Sequence, residues 1–178
     1  MLLTLLLPAA AGAATWTSPS QWSTDGTALG PNVFVSVTPG GDALAVFNED
    51  GVPRARWQYA DGSFSAVFDP LAGSGLDGPG TIVGARAWGN RHAAILFHGS
   101  TDRSTLPSEQ ATAGLWLRRF TDTAPPQAPI PVASSSATRS VGISASLFVT
   151  GAGDAVVGWY DAARPATDGT TDVRYARL

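Results

Sequence analysis

Ionisable side chains crowd one short stretch of this sequence. Asp161, Arg164, Asp168, Asp172 and Arg174 all fall within residues 161–174. With Tyr175 beside them, they offer a polar edge that can hold a ligand by charge and hydrogen bonds. Carboxylates near turns also suit a hard cation such as Ca2+. "ATDGTTD" at 166–172 departs from an EF-hand loop, however, and nothing in the pattern requires a cofactor. The structural alternative is a long hairpin tied by Asp–Arg pairs and Asx turns. A second group, His98, Asp102 and Arg103, lies with Glu109 in "HGSTDRSTLPSEQATAG" at 98–114. That run reads as a long loop between strands, a place where binding functions concentrate. His92 reads as a turn residue, and two histidines without close partners make a poor metal site.

No catalytic set is identifiable. The chain has no G-x-S-x-G, no P-loop and no H-E-x-x-H. "GSGLDGPG" at 73–80 is Gly-rich but leads into a strand, so it is a linker and not a phosphate cradle. With no Cys, disulfides, Cys-based zinc sites and a thiol nucleophile are excluded together. The reading leans away from an enzyme.

The elements that must position these residues are β-strands. The chain has 178 residues, 44% hydrophobic and only 14% charged, with 20 Gly and 13 Pro. Such a sequence can bury a core, and its many turn formers favour short strands over helices. No stretch keeps a 3.6-residue period for a full helix. The net charge of −3 gives no electrostatic footprint for nucleic acid. At the N-terminus, the apolar run Leu2–Leu7 and the small residues Ala11, Gly12 and Ala13 resemble a secretory leader over residues 1–14, without a basic start. The run is too short to span a bilayer, and no other segment is suited to it. The protein is therefore expected to be secreted or on the cell surface.

Three windows align without gaps: "VFVSVTPGGDALAVF" at 33–47, "VGARAWGNRHAAILF" at 83–97 and "ASLFVTGAGDAVVGW" at 145–159. Each shows alternation, a turn, then an apolar run closed by Phe47, Phe97 or Trp159. That pattern predicts a hairpin whose second strand is deeply buried. An Arg before a bulky residue follows each window, at Arg56, Arg119 and Arg177, and reads as scaffold. A further strand fits near Trp16, near Phe64 and near Ile130. Four short strands per unit of about 50–60 residues suggest a β-propeller blade. The units fall near 33–68, 83–132 and 143–178, with an outer strand near 15–23. The expected fold is all-β, about three four-stranded antiparallel blades of a partial ring, with a β-sandwich as the alternative. Closing the ring would take further blades of a longer protein or a second copy in a homodimer. Trp22, Trp57, Trp88 and Trp116 are expected to pack between blades, with sugar stacking as their alternative use.

The third unit, "VVGWYDAARPATDGTTDVRYARL", resembles the W-x-D-x-R … D-[IV]-x-Y-[AS]-R pattern of bacterial sialidase-like propellers. Trp159, Asp161 and Arg164 match the first part, with one extra residue before the Arg; Asp172, Tyr175 and Arg177 match the second. The resemblance implies a secreted six-bladed propeller related to sialidases and to their non-catalytic cousins. It does not by itself imply sialidase activity. The nearest Asp-box stretches, "STDGT" at 23–27 and "YADGSF" at 59–64, lack the residue between Asp and Gly. The expected function is a propeller-repeat protein presenting loops to a carbohydrate or protein ligand. A partial sialidase-like glycosidase and a structural piece of a larger surface protein are the alternatives.

Overall fold

The computed structural model describes residues 29–75, 77–100, 113–134, 139–163 and 171–178. The stretches expected to be a leader, 1–14, and an outer strand with Trp22, 15–23, lie outside them. The described residues form ten strands and no helix: β1 (Leu29–Val37), β2 (Ala43–Glu49), β3 (Val52–Gln58), β4 (Asp77–Trp88), β5 (His92–Ser100), β6 (Ala113–Thr121), β7 (Ile130–Ser134), β8 (Arg139–Val149), β9 (Ala155–Ala163) and β10 (Thr171–Arg177). Among the described residues no helix is long and apolar enough to cross a membrane.

The strands pair into three antiparallel sheets. Sheet I runs β1-β2-β3, sheet II β4-β5-β6-β7 and sheet III β8-β9-β10. The sheets stack face to face, and β4 lies against β1 on one side and β8 on the other. Only sheet II has four full strands among the described residues. In sheet I the segment after β3 joins through isolated bridges, Gln58 to Phe64 and Ala55 to Phe68. The ladder is interrupted for a local reason. The Ser65 hydroxyl accepts the Trp57 amide at 3.0 Å, where a strand would offer a carbonyl, while the Ser65 carbonyl accepts from Arg56 Nε at 3.0 Å.

The repeat is legible in the hydrogen bonds. In the β1–β2 turn Thr38 N donates to Asp42 O at 2.8 Å and Gly41 N to Thr38 O at 3.0 Å. In the β8–β9 turn Thr150 N donates to Asp154 O, and Gly153 N to Thr150 O, each at 2.9 Å. Gly41 (φ 88°) and Gly153 (φ 94°) take the left-handed conformation that glycine adopts without steric cost.

Strand alternation then gives each sheet a leading and a trailing face. Leu44, Val46, Ala55 and Trp57 on the leading face of sheet I meet Ala93, Ile95 and Phe97 on the trailing face of sheet II. Ala94, Leu96, Leu115 and Leu117 on the leading face of sheet II meet Ala155, Val157 and Trp159 on the trailing face of sheet III. Residues Ala93–Phe97 of β5 are therefore fully buried on both sides, which explains their unbroken apolar run.

One sequence reading is corrected by register. Arg119 pairs with Ala94 and Arg177 with Val156, but Arg56 pairs with Ala45, one step out of frame with the other two. Its true counterpart is Arg118. Arg118 Nε donates to Gln127 O at 2.6 Å as Arg56 Nε does to Ser65 O. Arg118 also reaches back to Pro70 O at 3.1 Å and ties sheet II to sheet I. Burial pushes its guanidinium below the usual range, partly offset by Asp69.

Candidate functional site

Sheet III carries the described members of the ionisable group. On its trailing face Arg174 Nε pairs with Asp161 at 2.9 Å, and Arg174 Nη2 with Asp172 at 3.6 Å. Asp161 is buried and Asp172 exposed. Tyr175 follows Arg174 on the strand, so it projects from the opposite face. The acid–Arg pair also recurs. Glu49 and Arg54 occupy the same register positions in sheet I, with Arg54 opposite Phe47 as Arg174 is opposite Trp159, and approach to 3.7 Å. A pair repeated at matched positions belongs to the scaffold. Arg164, Asp168, Asp102 and Arg103 lie outside the described residues. His98 is not the head of a loop: β5 continues to Ser100, and His98 pairs with Thr81 and Leu115 in the middle of sheet II. Among the described residues no three metal-ligating side chains gather.

The second turn is where the repeat departs from itself. Thr38, Gly41 and Asp42 of the first turn, and Thr150, Gly153 and Asp154 of the third, are replaced in the second by Trp88, Arg91 and His92. Arg91 stands in a glycine position with φ 58°. It is held there by Asp42 of sheet I and by Asp122, each at 3.0 Å, and by Tyr59, whose ring centroid lies 4.3 Å from the guanidinium carbon. Hydrogen bonds to both carboxylates raise its pKa above the usual arginine value. A strained non-glycine residue persists only where its surroundings over-determine it. Both Arg91→Ala and Arg91→Gly remove the clamp, but only Ala retains the backbone strain. In thermal melts the expected order of stability is wild type, then Arg91→Gly, then Arg91→Ala. The gap between wild type and Arg91→Gly should narrow in high salt.

Trp88 and His92 stack, with ring centroids 5.7 Å apart and planes inclined by 23°. An edge of the indole also lies against Gly153 of the third turn, where an added Cβ would lie 3.0 Å from Trp88 Nε1. Arg119 Nη2 donates to Gly153 O and to Leu178 O, each at 3.2 Å, and fixes that turn against sheet II. Together these groups line a cleft of about 330 Å3 between sheets II and III, with Thr121, Pro125 and Gln127 on its rim. The lining contains no carboxylate; Arg119 Nη2 is held by backbone carbonyls, while the buried Arg119 Nε meets no acceptor among the described residues. The cleft is equipped to hold a flat or ring-shaped ligand against aromatic surface, with amide, hydroxyl and imidazole groups around it. The sequence signal was available in the alignment of the three turns, where Trp88 and Arg91 stand out of pattern. Neither follows from the charge clustering that pointed to residues 161–174.

Comparison with protein-family models and with curated proteins finds no match to the chain. What is defined is an all-β protein of three stacked antiparallel sheets with an aromatic cleft at one turn.

Proposed function

We propose that this chain is a propeller-type blade array from a secreted or cell-surface protein, and that it binds carbohydrate in the Trp88–His92 cleft without catalysing a reaction. The observation that carries the reading is the departure of the second turn. A repeat keeps its scaffold residues, and here Thr and Asp give way to a stacked Trp88–His92 pair over a cleft. The blade reading is supported by sheets that stack face to face with their first strands β1, β4 and β8 adjacent. A small cleft with an aromatic wall, and with hydroxyl, amide, imidazole and guanidinium groups in its lining, suits a sugar ring.

Titration with neutral mono- and disaccharides, and with their sialylated counterparts, tests the proposal through tryptophan emission. A neutral sugar is expected to bind, and Trp88→Ala to weaken it at least about tenfold, or about 1.4 kcal/mol. Unchanged affinity in a folded Trp88→Ala protein would place the ligand elsewhere. A sialidase-like glycosidase would instead hydrolyse a fluorogenic sialoside. No turnover is expected, because Tyr175 projects away from the Asp161–Arg174 pair. A purely structural piece would bind none of these sugars.

A further inference from the structure

A second cleft, of about 310 Å3, shares a loop with the first. Ala66 and Phe68 line it from the segment after β3, and Thr123, Pro125 and Pro126 from the segment after β6. Thr121, Ala124 and Pro125 belong to the linings of both clefts. Their aromatic residues also meet: Phe68 of the second cleft packs edge to face on Phe120 of the first, with ring centroids 5.5 Å apart and planes inclined by 77°. The shared loop is fixed at both ends. Asp122 is held by Arg91 at 3.0 Å, and Arg91 is anchored in turn by Asp42 and Tyr59. Thr121 Oγ1 accepts the Ala124 amide at 3.0 Å, Gln127 N donates to Arg119 O at 2.9 Å, and Arg118 Nε donates to Gln127 O at 2.6 Å. A surface already ordered in this way loses little freedom when a ligand settles on it.

The chemistry of the second cleft continues that of the first. Phe68, Ala66 and the two prolines give it apolar surface. The Ser65 hydroxyl is spent on the Trp57 amide and the Ala66 carbonyl. Thr123 is exposed, and its hydroxyl has only a 3.5 Å contact with Thr121 Oγ1, so it keeps capacity for a ligand. The carboxylate in the lining, Asp122, is 7% exposed and neutralised by Arg91. Among the described residues, neither lining offers an uncompensated negative charge. We propose that the two clefts are subsites of one groove for a linear neutral oligosaccharide, with one ring against Trp88, another against Phe68 and Pro126, and the chain crossing the Thr121–Pro125 loop. The inference rests on the carbohydrate reading of the first cleft and extends it from a single ring to a chain. Because three residues belong to both linings, rings seated in the two clefts are neighbours. Covalent linkage then holds the second ring at a high effective concentration once the first is bound.

Calorimetric titration of the full chain with neutral gluco- and manno-oligosaccharides of two to six rings tests the groove. For the sugar that binds, affinity should rise at least about tenfold from two rings to the length that reaches both clefts, and then level off. Ala66→Trp and Thr123→Trp fill the second cleft from opposite sides at exposed positions, and far-UV circular dichroism checks that each variant is folded. Each should abolish the gain with length, so that long and short chains bind alike. Trp88→Ala should weaken chains of every length. A disaccharide that binds through Trp88 with no gain for longer chains overturns the groove and leaves the reading of the first cleft standing. A gain that survives both tryptophan substitutions overturns the groove as well, because the chain then extends elsewhere. Binding of no sugar at any length overturns both readings.

Discussion

Trp57→Ala is expected to be the most damaging single truncation in sheet I, costing about 3–5 kcal/mol. Trp57 is fully buried on the leading face, in the cluster that joins sheets I and II. Its loss leaves a cavity inside that cluster, whose members lie on paired strands that cannot readily close in. Small domains are stable by only about 5–15 kcal/mol, so the variant should be partly or wholly unfolded in urea concentrations the wild type tolerates. Trp57→Phe separates volume from polarity. The buried Trp57 Nε1 meets no acceptor among the described residues, and Phe removes that unsatisfied donor while keeping most of the ring. Its expected cost is below about 1.5 kcal/mol. A Phe variant as unstable as the Ala variant would show that the indole donor has a partner.

Gly153→Ala is expected to damage the cleft and the fold together. Gly153 has φ 94°, where an L side chain costs about 1–2 kcal/mol. Its new Cβ would also lie 3.0, 3.2 and 3.3 Å from three atoms of the Trp88 indole. Trp88 is itself stacked on His92, so the ring cannot swing aside without dismantling the proposed sugar platform. Gly41→Ala is the control. It has the same backbone conformation, φ 88°, but its Cβ would meet only the Ala60 Cβ at 3.5 Å, an ordinary contact. Gly41→Ala should thus show the backbone cost alone, about 1–2 kcal/mol. Gly153→Ala should exceed it and should weaken carbohydrate binding as Trp88→Ala does. Equal stabilities of the two variants, measured by urea midpoint, would mean that Trp88 does not pack on the third turn.

Much of this molecule is written locally. "GDALAVFNE" and "GDAVVGWYD" form the same turn and strand because glycine at positive φ and strict alternation are properties of a few adjacent residues. The sequence by itself thus determined an all-β chain of repeated hairpins with buried second strands. Pattern alone did not decide between adjacent arginines. Arg118 and Arg119 differ by one position, and one step of register sends a side chain to the opposite face, so only the pairing identified Arg118 as the counterpart of Arg56. Nor could alternation say which of two apolar faces meets another sheet. Tyr175 and Leu117 hold equivalent places, and stacking buries one and exposes the other. The cleft is likewise a product of tertiary structure. Trp88 and Gly153 are far apart in the chain, and the indole finds the glycine only because sheets II and III bury their facing side chains against each other.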